Sequence, residues 1–219
     1  MTSAMTGAVM GAARLALVWI GCGAVSLAAD SGRVIFTKSF PGSTPAYIGI
    51  TLERSGAATY KEAEDDDPDK FQIEGDAAGA IFDLASKLDH FARPVESGLK
   101  VANMGLKTFR WENGEERNEV KFNYSTDDNA KALWDWFEAI SETERMLAEL
   151  KRSVKHDKLG VHDALIAIEG QWQHRRLIGA AQFLPLLDQV IANEMYLHMA
   201  RERAAQLAEA IRGAKGRTQ

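Results

Sequence analysis

The chain has 219 residues, with 26 basic and 31 acidic side chains, a formal net charge of −5 and a single cysteine. This balance argues against a nucleic-acid-binding protein, whose surface would carry a basic excess. A single cysteine also excludes a disulfide within the chain, so the fold must depend on an ordinary hydrophobic core.

The first 28 residues have the layout of a secretory leader. Arg14 precedes an apolar run from Leu15 to Leu27, and small residues stand at the minus-three and minus-one positions of a cleavage after Ala28. The run is shorter than the roughly 18 to 20 apolar residues of a spanning helix. We therefore expect residues 1–28 to be a cleavable signal peptide, and the product to be periplasmic or secreted without a stable membrane span. Cleavage would remove one basic residue and no acid, so the formal charge would become −6.

Two other fates of the leader stay open. Cys22 follows Gly21, as the lipid-attachment cysteine of a lipoprotein does, but Trp19 stands where such signals carry a small aliphatic residue. Retention as an uncleaved anchor is the second alternative. Cleavage after Ala28 is the interpretation that the small residues favour.

Residues 30–125 have the patterns of strands and are predicted to form an α+β sheet domain. Ile48, Ile50 and Leu52 alternate on one face, and Gly56 turns the chain into a second strand. A clearer hairpin joins residues 107–112 to residues 117–124 across Asn113-Gly114, a dipeptide that supports positive φ. These short spacings predict a small antiparallel sheet.

One helix interrupts the strands. Asp76 is predicted to cap it, and Arg93-Pro94 is predicted to stop it. Its apolar stripe consists of Ile81, Leu84, Ala85, Leu88 and Phe91. A stripe of this width predicts a two-layer arrangement in which the helix packs on one face of the sheet.

Residues 126–213 are predicted to be a helical region. Asp127 lies in a polar helix-start signal, and apolar residues then recur at helical spacing until Gly160 breaks the pattern. A shorter amphipathic segment follows, and residues 181–212 are predicted to form one long helix with Pro185 in its first turn. The complete prediction is an α+β fold followed by a C-terminal all-α helical hairpin or bundle.

The chain ends in polar residues. We predict that residues 214–219 are a disordered tail.

An acidic run from Glu62 to Asp69 is the densest cluster of charge. Asp65, Asp67 and Asp69 have the one-three-five spacing of a calcium loop, with Asp76 at the twelfth position. Lys70 stands where such a loop needs glycine, and no helix precedes the run. We therefore interpret the run as a solvated loop between strands.

The sequence holds no diagnostic catalytic or cofactor motif. Glu194 and His198 are one helical turn apart, but such pairs are usually surface contacts rather than metal ligands. The segment 98–108 lacks the spacing of a phosphate loop. Trp134 and Trp136 point about 200° apart on one helix, so one of them is a candidate anchor for a partner, unless the helix is buried on two sides.

The N-terminal half resembles an uncharacterised class of exported bacterial domains. The resemblance is carried by Pro45-x-Tyr47, Gly56, Tyr60 and Lys107-Thr108. The helical region is similar to a group of hypothetical proteins of unknown role, through Phe122-Asn123-Tyr124, Asp135-Trp136-Phe137-Glu138, Asp157-Lys158-Leu159-Gly160 and residues 200–204. The resemblance implies the fold and export, and it brings no functional residues.

These observations predict a non-enzymatic, exported binding module of the cell envelope, whose partner is an envelope protein or a small ligand. No cofactor, metal or catalytic residue is predicted. The alternative is an envelope hydrolase that uses a pair of carboxylates. A homodimer through the apolar side of the last helix is a further possibility.

Overall fold

The computed structural model describes Met1 and residues 32–215. The predicted leader, with Cys22 and the cleavage position after Ala28, lies outside the described residues. Residues 216–219 of the predicted tail also lie outside them.

Six antiparallel strands form one sheet in the order β4-β3-β2-β1-β5-β6. The strands are β1 (Arg33–Ser39), β2 (Tyr47–Glu53), β3 (Ala57–Lys61), β4 (Asp69–Gln72), β5 (Leu106–Asn113) and β6 (Glu116–Phe122). The first four strands form a meander, and the β5–β6 hairpin returns to pair with the free side of β1. The antiparallel α+β prediction is confirmed, and β4 is a strand that the sequence pattern did not indicate.

Apolar and polar side chains alternate along the strands, which gives the sheet one apolar face. Ile48, Ile50 and Leu52 are buried as predicted, and Phe36 of β1 lies in register with both Ile50 and Phe109. The β5–β6 turn contains Gly114 and Glu115, since Asn113 pairs with Glu116. Gly114 has φ 59°, a conformation in which a side chain would be strained.

The helix α1 (Gly75–Lys87) covers part of this face, but its predicted boundaries were wrong. The residue before its first turn is Glu74, and Asp76 accepts a hydrogen bond from the neighbouring amide of Ala77 at 2.9 Å instead of capping the helix. Glu74 does not cap the helix either, because its carboxylate binds elsewhere in the molecule.

The same helix ends before Arg93-Pro94. The chain leaves the helical conformation at Asp89, His90 and Phe91, all of which have positive φ, and a 3₁₀ turn (Asp89–Phe91) follows the helix. Phe91 is buried there and stacks on Phe109 with 5.3 Å between ring centroids. The apolar stripe therefore reaches Phe91 as predicted, although the helix does not.

Four helices follow the sheet. They are α2 (Asp128–His156), α3 (Gly160–Gln173), α4 (Leu184–Ala192) and α5 (His198–Lys215), with a 3₁₀ turn (Ala180–Phe183) before α4. Asp127 caps α2 as the sequence indicates, and the break at Gly160 is also confirmed. The helix α5 continues through Lys215, into the segment that was predicted to be a tail.

The prediction of one helix over residues 181–212 was wrong, because the chain turns back between α4 and α5. Asn193 is extended, and its Oδ1 accepts a hydrogen bond from the amide of Met195 at 2.9 Å. Tyr196 is buried at the turn, where its hydroxyl donates to the carbonyl of Val154 at 3.0 Å. The apolar side of α5 packs within the chain, and the homodimer through it stays a prediction.

Two hydrophobic cores meet along α2. The first contains the sheet face, α1 and the start of α2 as far as Ile140, and the second begins at Leu147 and contains the remaining helices. The change from strands to helices falls where residues 30–125 and 126–213 were predicted to meet. The change from one core to the other falls inside α2.

We predict that Asp127→Ala destabilises the protein by about 1 to 2 kcal/mol, the usual cost of losing a helix cap. Its carboxylate accepts hydrogen bonds from the amides of Asn129 (2.9 Å) and Ala130 (3.2 Å), and from Arg93 (2.9 Å). Urea denaturation measures the loss. Asp128→Ala is the matched control, since the Asp128 side chain is 93% exposed, and an equal loss in both variants would contradict the prediction.

Candidate functional site

An open cavity of about 280 Å³ lies where the acidic run approaches α2. Strand β3, the loop after it and the start of β4 supply one wall, and α2 supplies the other. Five acidic and two basic side chains line it. The complete lining is Tyr60, Lys61, Glu62, Asp66, Asp67, Asp69, Glu144, Ala148 and Lys151.

The acidic run is exposed, as a solvated loop is, and four of its carboxylates line this cavity. Asp66, Asp67 and Asp69 are exposed and share the cavity with Glu62. The loop is attached at its first end, where the buried Tyr60 donates its hydroxyl to Glu62 at 2.9 Å and the Lys61 ammonium binds the carbonyl of Glu64. Burial raises the pKa of Tyr60, so its hydroxyl stays a donor at physiological pH.

Glu144 is a candidate functional residue that sequence reasoning missed. It lies on α2 in a stretch rich in charge, yet it is only 6% exposed. Its Oε1 accepts a hydrogen bond of 2.5 Å from Nε2 of Gln182, in the 3₁₀ turn before α4. This is the only hydrogen bond of the Glu144 carboxyl among the described residues, and the same side chain lines the cavity.

Burial raises the pKa of the Glu144 carboxyl to about 7. The hydrogen bond from Gln182 and the charge of Lys151 act in the opposite direction, and the nearby charge of Asp69 adds to the rise. An acid with this pKa exchanges its proton near neutral pH, as a general acid or a proton-linked binding group must. No sequence pattern signals this property, since it arises from packing between distant elements.

The segment 178–182 holds this side of the cavity in place. The Glu74 carboxylate accepts hydrogen bonds from the amides of Gly179 (2.8 Å) and Ala180 (3.1 Å). Thr143, next to Glu144, accepts from the amide of Ile178 at 3.1 Å. Gly179 has φ 70°, and a Cβ there would lie 3.1 Å from the carbonyl oxygen of Gln72, so both conformation and space favour glycine.

A second buried ionisable group lies at the other end of the sheet. Lys107 is fully buried, and its ammonium donates to the carbonyls of Met104 (3.3 Å), Gly105 (3.4 Å) and Asn123 (2.8 Å). It also lies 4.4 Å from the centroid of the Trp134 ring. Burial is the main cause that lowers the pKa of Lys107, and repulsion from Lys38 lowers it further. The ammonium is thus directed at main-chain carbonyls, not at a phosphate.

The other residues considered from the sequence do not assemble into a site. Within residues 32–215, no three His, Cys, Asp or Glu side chains come close enough together to hold a metal ion. His198 lies 3.2 Å from Glu202 rather than pairing with Glu194. Trp134 and Trp136 are both partly buried against the first core, and Trp134 donates to Glu138 at 2.8 Å.

No model of a known protein family matches the chain, and no curated protein sequence matches it. Over the part of the chain that the structure describes, no helix has both the length and the apolar character needed to cross a membrane.

We predict that Glu144 lowers the stability of the fold as the pH rises. Its folded-state pKa of about 7 lies above the ordinary value of 4.5, so the folded protein binds this proton more tightly than the unfolded chain. The resulting stability is complete below the unfolded pKa and is lost as the pH rises through 7, by at most about 3 kcal/mol.

Glu144→Gln should remove this pH dependence, because the amide does not titrate. Urea denaturation at about pH 5 and about pH 8 measures the difference between the variant and the unmodified protein. Glu149→Gln, at a half-exposed position on the same helix, is the control and should keep the unmodified pH dependence. The same pH dependence in all three proteins would refute the assignment to Glu144.

Proposed function

We propose that this protein is an exported, non-enzymatic binding module of the cell envelope, and that the cavity beside Glu144 binds a small organic cation. The observation that carries the proposal is the cavity itself, whose lining has five carboxyl groups and two ammonium groups. Such a surface attracts cations and repels anions.

The size of the cavity favours an organic ligand. A volume of about 280 Å³ is close to the lower end of the range for small-molecule sites, and it is many times the volume of one water molecule or metal ion. With all seven groups ionised the lining has a formal charge of −3, which complements a ligand with two or three ammonium groups. We therefore propose a short aliphatic polyamine as the class of ligand.

Export is the second part of the proposal. It is supported by the composition of residues 1–28, with one basic residue, an apolar run and small residues before the cleavage position. A lipoprotein attached through Cys22 is the alternative fate. The proposed binding function is compatible with both fates, because the acidic side chains of the cavity are exposed in the folded protein whether or not it is attached to a lipid.

The alternative function is hydrolysis of an envelope polymer by a pair of carboxylates. The observation that favours it is the Glu144 carboxyl, whose pKa is raised to about 7 beside the acidic residues of the same cavity. A protonated acid next to an ionised one is the arrangement of many glycoside hydrolases. Turnover of an envelope glycan that Glu144→Gln abolishes would establish this alternative.

We predict that putrescine binds the protein at neutral pH and that its uncharged analogue 1,4-butanediol does not. Isothermal titration calorimetry of the protein without its leader measures both. Replacing Asp67 by asparagine should weaken putrescine binding about tenfold, the effect of losing one charge-assisted hydrogen bond. Raising the salt concentration should weaken it as well.

Glu115→Gln is the matched control, because it removes one exposed carboxylate from the β5–β6 turn, outside the cavity. It should leave the affinity unchanged. Equal weakening by Glu115→Gln would indicate nonspecific attraction, and no binding of putrescine or longer amines would refute the function. Binding of calcium in place of amines would refute the class of ligand.

We predict that the envelope fraction contains a product that begins at residue 29. Mass spectrometry of the protein from its native host tests this, and replacing Ala28 by a bulky residue should block the processing. A diacylglyceryl adduct on Cys22 would show the lipoprotein alternative. An intact chain in the cytosol would refute export.

A further inference from the structure

Glu144 occupies an unusual position among the carboxyl groups of the cavity. The other carboxyl groups are on exposed residues, whereas Glu144 is 6% exposed and is hydrogen-bonded to Gln182. The Glu144 carboxyl is the group in the cavity whose charge is least screened by water.

Every element packed around Glu144 contributes a polar group. Strand β3 contributes Tyr60, and the start of β4 contributes Asp69. The next turns of α2 contribute Lys151, and the 3₁₀ turn before α4 contributes Gln182. The acidic loop adds Glu62, Asp66 and Asp67 to the lining, and β3 also contributes Lys61.

These surroundings favour the neutral acid when the cavity holds only water. Burial disfavours the carboxylate, and Asp69 repels a second negative charge. The ammonium that favours the carboxylate, on Lys151, belongs to an exposed residue. A bound cation reverses this preference, because it supplies the positive charge that the buried carboxylate lacks.

We propose that the cavity takes up its ammonium ligand in exchange for the proton of Glu144. The carboxylic acid releases one proton to solvent, and the carboxylate that remains forms an ion pair with one ammonium of the ligand, so at Glu144 one positive charge replaces another. Each further ammonium of the ligand adds its charge to a lining that has a net negative charge. This inference rests on the proposed function, since it concerns the same ligand.

The exchange makes the affinity depend on pH. At pH values above the pKa of about 7 the carboxylate is already formed, and the ligand binds at full affinity. Below this pKa the ligand must displace the proton, so the dissociation constant rises up to about tenfold for each unit of pH. The protein would therefore hold its ligand in neutral or alkaline surroundings and release it in acid.

Calorimetry in buffers of different ionisation enthalpy counts the protons released when putrescine binds, since both of its ammonium groups stay charged between about pH 5 and about pH 8. We expect close to one proton at about pH 5.5, about half a proton near pH 7 and only about a tenth of a proton at about pH 8. Glu144→Gln should bind putrescine more weakly at high pH and release no proton. Glu149→Gln should behave like the unmodified protein.

The possible outcomes separate this inference from the proposed function. Binding without proton release at any pH would overturn the exchange and leave the binding function in place. Continued proton release in Glu144→Gln would also overturn it, since another acid would then be the donor. No binding of putrescine at any pH would overturn the proposed function and the exchange together. A thermal melt of each variant checks that it is folded.

Discussion

The 29-residue helix α2 spans both hydrophobic cores, so each half of the molecule packs on a different part of one rigid rod about 43 Å long. Its buried residues are apolar up to Ile140 and, apart from Ser153, again from Leu147. Between them the buried positions are Ser141, Thr143 and Glu144, which are polar. The cavity opens at this polar turn, where neither core extends far enough to fill the space.

A polar turn inside a packed helix costs free energy unless its groups are hydrogen-bonded. Thr143 meets this requirement, since its hydroxyl donates to the carbonyl of Ala139 at 2.8 Å and accepts from the amide of Ile178. Glu144 meets it only in part, because one amide donor from Gln182 does not balance a buried carboxylate. An apolar residue at this position would avoid the cost of burying a carboxyl group, and this cost is the reason to consider Glu144 a candidate binding residue.

The features that the sequence predicted correctly are determined locally. The strands follow from side-chain alternation, the β5–β6 hairpin from a glycine that takes a positive φ at 114, and the start of α2 from a capping residue next to its own helix. The turn itself lies one residue later than the predicted Asn113-Gly114, at Gly114 and Glu115. The features that were missed depend on distant partners. Glu74 binds amides at residues 179 and 180, and the α4–α5 turn is held by Tyr196 against the carbonyl of Val154. Glu144 could not be found for the same reason, because its hydrogen-bond partner, Gln182, is 38 residues away in the chain.

Lys107 and Glu144 show how a structural ionisable group differs from one available for binding. Three carbonyl oxygens and an aromatic ring surround the Lys107 ammonium, and its side chain is fully buried, so no position is left for a ligand. Glu144 is almost as deeply buried, but one neighbouring side chain satisfies one of its oxygens while the side chain borders an open cavity. The exposed fraction of the side chain therefore does not distinguish Lys107 from Glu144. Its single hydrogen-bond partner and its place in the lining of an open cavity are what make Glu144 the candidate residue for the proposed cation site.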